Sequence, residues 1–146
     1  MKIRVIENKL IPFGHYTAIT LWPWIFVKRM MAHTVSHESI HWWQQLEVLA
    51  AALALIGAAV ALLPASPWWL CLAPAVYYLI YCAEWLVRLI IYRDGTEAYR
   101  NISHEQEAYM HEADTQYLAR RKPFAWMGYL ARKTYVRRRR PPKTET

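Results

Sequence analysis

The sequence predicts a mainly α protein (α+β), with a small β region at its N-terminus and an apolar helical hairpin in the middle. Three observations predict it. No charged residue occurs between Val48 and Ala83, although the 146-residue chain carries 18 Lys and Arg, 11 Asp and Glu and a net charge of +7. His37 to Leu63 runs without a helix breaker, and Ile102, Ala108, Tyr109, Ala113 and Leu118 fall at positions that suit another helix. Residues 1–33 instead hold short runs of β-branched and aromatic residues. A chain that is 55% apolar with eight Trp and ten Tyr, yet strongly basic at its ends, suggests a membrane-facing middle between polar flanks. Its length suits one membrane-associated domain over residues 1–146 and leaves no room for separate catalytic and regulatory units. Met1–Leu10 mixes charges with short apolar runs and lacks the apolar core of a signal peptide.

In order, residues 1–33 form the β region. Lys2-Ile3-Arg4-Val5-Ile6 alternates polar and apolar, as a strand does. Tyr16–Trp22 and Trp24–Lys28 flank Pro23 and predict two short strands, or one bent strand, at a sheet edge. Such an edge can pair with the backbone of a peptide substrate, or can simply cover the next helix. Residues 34–63 form a helix capped by Thr34 or Ser36 that continues into the first apolar arm. Pro64-Ala65-Ser66-Pro67 is a turn, and residues 68–92 form the second arm, with Pro74 marking a kink or a late start.

Each arm has a run of uncharged residues (Val48–Leu63 and Trp68–Ala83) about 24 Å long as helix, against a hydrocarbon core of about 30 Å. Glu47, Glu84 and Arg88 at the interface would lengthen either arm, with Glu84 and Arg88 spaced as an i,i+4 pair that Glu47 joins. Trp68-Trp69 at the tip suits the headgroup level; the alternative is a hairpin buried in a soluble core. Cys71 and Cys82 read as small buried hydrophobes. After Arg93-Asp94-Gly95, Thr96 caps a helix over residues 96–121 that ends before Pro123. Residues 123–136 suit an amphipathic helix on the protein or membrane surface, and 137–146 a basic, disordered tail.

The tip lacks Lys and Arg while both ends are basic, so the positive-inside rule places the termini on the cytoplasmic side of an inner (cytoplasmic) membrane. No base-reading module accompanies Arg137-Arg138-Arg139-Arg140, so this run suits the lipid bilayer as partner and no specific nucleic acid. Oligomeric state is not legible.

The chemistry concentrates in His37-Glu38-Ser39-Ile40-His41. As a helix, this H-E-x-x-H run sets His37 and His41 one turn apart on one face, where both imidazoles reach one metal ion. Glu38 lies about 100° round the helix, placed to touch a metal-bound water without being a ligand. A catalytic Zn2+ takes three protein ligands and keeps a fourth position open, so the third ligand comes from elsewhere. The best candidate lies in Asn101-Ile102-Ser103-His104-Glu105-Gln106-Glu107-Ala108-Tyr109.

Here the chain resembles the gluzincin-type H-E-x-x-H zinc metallopeptidases of the membrane-associated group, the CAAX prenyl proteases and heat-shock membrane proteases. These pair H-E-x-x-H with a later E-x-x-A-D helix. It is similar, more closely, to small, mostly uncharacterised bacterial membrane proteins with an I-S-x-E-x-E-A-Y run. The resemblance rests on two short motifs. It implies a zincin-like active-site helix, a second helix whose Glu105 is the third zinc ligand, and hydrolysis of peptide or protein substrates. The family's Asp falls on Tyr109, so the carboxylate that would orient a ligand histidine is missing.

In that reading Glu38 is the general base, and the oxyanion donor comes from His104, His111, Tyr99, Arg100 or Tyr109. Tyr109 lies one turn beyond Glu105 on the same face, while His104 points about 100° away. His33 is a partner one turn before His37, or a loop residue. Positive-inside charge puts the zinc site on the cytoplasmic side. The alternatives are a non-catalytic metal-binding membrane module with the same ligands, and a scaffold in which the histidines are polar core.

Overall fold

The computed structural model describes residues 3–11 and 16–131. The chain is mainly α with a small N-terminal sheet, as its sequence predicts. Strands β1 (Arg4–Glu7), β2 (Ala18–Leu21) and β3 (Trp24–Val27) form the sheet. The order is β1-β3-β2, with β1 parallel and β2 antiparallel to β3. Two separate strands therefore flank Pro23, and the second of them is the centre of the sheet, not its edge.

Helix α1 (Ala32–Leu62) is a single rod of 31 residues, about 46 Å long. It starts earlier than the Thr34 or Ser36 cap implies. Met31 is the N-cap without a side-chain bond, Val35 N–H already donates to Met31 O at 2.9 Å, and Thr34 is buried. His33 is thus a helical residue. A 3-10 segment (Pro67–Leu72) leads into α2 (Ala73–Tyr92). Pro74 lies in the first turn of α2, where no N–H is missed, so it marks a late start and no kink.

The predicted helix over 96–121 is three helices: α3 (Gly95–Arg100), α4 (Ser103–His111) and α5 (Tyr117–Arg120). Asp94, not Thr96, caps α3 by accepting from Thr96 N and Glu97 N at 2.8 Å each. The chain breaks at Asn101-Ile102, where Ile102 is extended, because α4 has a cap from another element. Glu84 of α2 accepts from Ser103 N at 2.9 Å and Ser103 Oγ at 2.6 Å, satisfying donors that a continuous helix would have paired internally. Glu84 also pairs with Arg88 at 3.0 Å, as predicted. Glu47 does not join them. It pairs with Arg121, which also binds the fully buried Glu107. Of the amphipathic helix expected over 123–136, the described part (123–131) holds instead a 3-10 turn, Ala125–Tyr129; residues 132–136 and the basic tail lie outside the described residues.

Three small cores surround α1. Ile25, Val27 and Trp42 join it to the sheet. Ile40, Ala108 and Tyr117 join it to α4 and α5, and Val48, Tyr77 and Trp126 join it to α2 and the last turn. Much of the hairpin beyond these contacts is exposed, Leu53, Leu55, Leu62, Leu79, Leu86 and Ile90 among it. Both α1 and the segment Pro67–Tyr92 are long and apolar enough to cross a membrane, and only 17% and 11% of their most apolar windows are buried. The hairpin is therefore not a core element of this chain, and Cys71 and Cys82 are exposed on it, not buried.

Candidate metal centre

Helical spacing places His37 and His41 one turn apart on α1, and the break at Asn101-Ile102 turns α4 so that Glu105 meets them. His37 Nε2 and His41 Nε2 are 3.1 Å apart. Glu105 Oε2 lies 3.4 Å from His37 Nε2, and Glu105 Oε1 lies 3.2 Å from His41 Nε2. Two metal–ligand bonds of about 2.05 Å at a tetrahedral angle hold their donor atoms about 3.3 Å apart. The nitrogen pair and each nitrogen's nearest carboxylate oxygen stand near that separation, the two nitrogens meeting different oxygens of Glu105, and the three side chains form the one group able to hold a metal among the described residues.

The hydrogen bonds behind the ligands fix which atoms face inward. Gln44 Nε2 donates to His104 O and to Glu107 Oε2, both at 3.1 Å, so its amide oxygen must face the other way. There Gln44 Oε1 accepts from His41 Nδ1 at 2.8 Å and from Tyr77 OH at 3.3 Å. His37 Nδ1 lies 3.0 Å from Glu112 Oε2, a carboxylate that can only accept when ionised. Each Nδ1 therefore carries a proton, so that a ring in its neutral form turns a bare Nε2 inward. Glu105 Oε2 is buried and has no hydrogen-bond partner. Three lone-pair atoms thus converge, an arrangement that a cation relieves.

Burial alone would raise the Glu105 carboxyl, but the positive charge that His41 and His37 carry close against it in their protonated forms holds it well below the usual carboxylate range. Tyr81 OH donates to Glu105 Oε1 at 2.7 Å, which ties the ligand to α2. Thr20 of β2 ties Glu38: its hydroxyl lies 2.7 Å from Glu38 Oε2 and 3.0 Å from Glu38 O.

An open cavity of about 380 Å³ gives access to the centre; His37, Glu38, Tyr99, Tyr109 and Glu112 line it, with Thr17 and Ala18 of the sheet on one side. His33 sits at its rim, on the helix and not in a loop. Tyr109 packs on His37 with ring centroids 4.7 Å apart. Burial and the nearby Glu105 charge push its pKa up to about 12, so it remains an O–H donor at neutral pH.

His104 does not reach the cavity. Its fully buried ring stacks on Trp126 at 4.1 Å, with Tyr77 edge-on at 5.0 Å, and burial lowers its pKa to about 3. A neutral, enclosed ring can neither donate to an oxyanion in the cavity nor exchange protons with it, so the catalytic assignment of His104 is corrected. His111 is likewise turned away, 2.9 Å from Tyr129 OH and stacked on Tyr117.

Sequence reasoning misses Gln44 and Glu112 behind the histidines, as it does Thr20 on Glu38 and Tyr81 on Glu105. The carboxylate absent at Tyr109 is supplied one turn later, by Glu112. Gln44 and Glu112 left a periodic signal, three residues after His41 and seven after Glu105, on the faces that carry the ligands. Comparison with known proteins gave no match to any family model, curated protein or solved structure.

Proposed function

We propose that the chain is a zinc-dependent, membrane-associated peptidase. One observation carries the reading: His37 Nε2, His41 Nε2 and Glu105 converge at 3.1–3.4 Å beside a cavity that Glu38 lines. His37, His41 and Glu105 hold the ion, and two nitrogens with one carboxylate suit zinc. Bound there, zinc supplies Lewis acidity toward a peptide carbonyl and toward water. Glu38 takes up a proton at its carboxylate and passes it to the leaving amine, the role its position beside the ligands suits.

Tyr109, with Tyr99 beside it, donates O–H toward developing negative charge on the substrate oxygen. The substrate backbone lies along the outer edge of β2. Gln45 already occupies Thr20 O and Trp22 N there, at 2.8 and 2.9 Å, and strand alternation leaves the Ala18 main-chain groups facing the cavity. The hairpin inserts in the cytoplasmic membrane with the zinc site on the cytoplasmic side, by the charge asymmetry of the sequence.

The test is metal content and proteolysis of an unstructured protein, casein, by the full chain in detergent. We expect about one zinc per chain, lost in His41→Ala and in Glu105→Ala, and casein cleavage abolished in Glu38→Gln with zinc retained. Zinc retained by both ligand variants overturns the metal assignment. Cleavage that survives Glu38→Gln overturns its role as base, and zinc binding without cleavage by wild type overturns the peptidase reading.

A further inference from the structure

The sheet has a second apolar face that the metal centre does not use. Its inner face, Ile25 and Val27, packs on Trp42. A sheet covered on one side ordinarily turns polar residues to water on the other. Here the register aligns Ile6, Phe26 and Ile19 across the three strands, with Leu21 beside Trp24. Ile6, Ile19, Leu21 and Trp24 are exposed, as is Trp22 in the turn, and Arg4, exposed, lies next to Trp24 on β1.

This face is fastened at a defined height on α1. Trp22 N donates to Gln45 Oε1 at 2.9 Å, and Trp42 Nε1 donates to Pro23 O at 3.0 Å. Trp22 and Trp42 pack with ring centroids 6.2 Å apart, and Trp42 and Trp43 at 5.4 Å. The tryptophans of the sheet thus share one level with Trp43, itself exposed at 36%. From Trp43 to Leu62 at the end of α1 is about 29 Å of helix, comparable to a hydrocarbon core of about 30 Å, with Glu47 one turn inside the first level and paired to Arg121. Trp68 and Trp69, both exposed, lie just past the far end. Two tryptophan levels one hydrocarbon thickness apart, on a rod with uncovered leucines between them, mark two membrane–water interfaces.

We propose that the outer face of the sheet, with the Trp22-Pro23-Trp24 turn, docks onto the bilayer surface at the same interface that α1 enters. Its occupant is lipid: apolar side chains and tryptophans reach the headgroup–acyl boundary, and Arg4 meets anionic headgroups. Because β2 also holds Glu38 through Thr20, docking the sheet sets the mouth of the metal cavity against the membrane surface. The proposal rests on insertion of the hairpin and is independent of peptidase activity.

The test is spin-label accessibility on the full chain in phosphatidylcholine–phosphatidylglycerol vesicles. Labels go at Ile19→Cys on the outer face, Leu55→Cys on the hairpin and Thr96→Cys on α3, each in a Cys71→Ser/Cys82→Ser background. We expect the ratio of oxygen to water-soluble nickel-complex accessibility at Ile19 to exceed that at Thr96 several-fold and to approach that at Leu55. Replacing both Trp22 and Trp24 by Ser should lower it. A label at Ile19 as open to the nickel complex as Thr96 overturns the proposal, and so does one shielded from both reagents, which indicates a protein partner or second copy. If Leu55 also reads like Thr96, membrane insertion has failed; if Leu55 alone is immersed, only the docking face has failed.

Discussion

The two halves of α1 obey opposite rules. From Thr34 to Gln45 the helix buries polar side chains: Thr34, His37, Glu38, Ser39, His41, Gln44 and Gln45. Beyond Val48 it exposes apolar ones, with Leu55 at 74% and Leu62 at 83%. In the first half these groups are tolerated because they are paired: His37 with Glu112, Glu38 with Thr20, Ser39 with Val35 O, His41 with Gln44, Gln44 with Glu107, and Gln45 with Thr20 O. In the second half such exposure suits a medium that does not penalise apolar surface, or a face covered by another protein. One helix therefore joins a polar interior to an apolar exterior, and the junction falls at Glu47.

The junction is where the comparison breaks most readily. Arg121 bonds both Glu47 and Glu107 with its side chain only 4% exposed. Removing it leaves two largely buried carboxylates with no cation, so Arg121→Ala should cost about 3–5 kcal/mol, read as a shift in denaturant unfolding of the detergent-solubilised chain. A loss below about 1 kcal/mol is what an exposed ion pair gives, and would mean that the polar half is solvated, not interior.

Removing the support of a ligand without removing the ligand sharpens the same contrast. Gln44 and Glu112 orient the two histidines from behind. Gln44→Leu and Glu112→Gln should each weaken metal affinity about 10–100-fold, measured by competition with a chromogenic chelator. Gln44→Leu also strips Glu107 of a donor and should lower stability, whereas Glu112→Gln, at the helix end, should leave stability nearly unchanged. Equal affinity in wild type and both variants would show that the imidazoles need no orienting.

How much of this could be read in advance follows the same division. The pairing of His37 with His41 is a consequence of helical spacing, and the uncovered hairpin follows from the uncharged run, so both were legible. Glu105 could be assigned only through a resemblance. The break that aims it depends on Glu84, nineteen residues before Ser103, and no local pattern encodes a cap donated by another helix. Asn101-Ile102 looked continuous because its apolar spacing suits one helix as well as two. His104 shows the converse failure: its residue type suits proton transfer, but its helix face points into Trp126 and Tyr77, and residue type carries no information about facing. Cys71 and Cys82 were misplaced for a related reason. Apolar character implies burial only where the surrounding medium is water.

The smallest expected effect tests that last point. In a water-soluble protein a Leu→Ala change in the core costs about 2–5 kcal/mol, from lost transfer energy and the cavity left behind. Leu55, 74% exposed on α1, has neither penalty if its neighbours are lipid or detergent chains, which close over the missing methyls. Leu55→Ala should then change unfolding stability in micelles by no more than about 0.5 kcal/mol, the range of a surface substitution. A cost above about 2 kcal/mol would mean that Leu55 packs against a protein surface, such as another copy of the chain, and that the apolar half of α1 is an interior too.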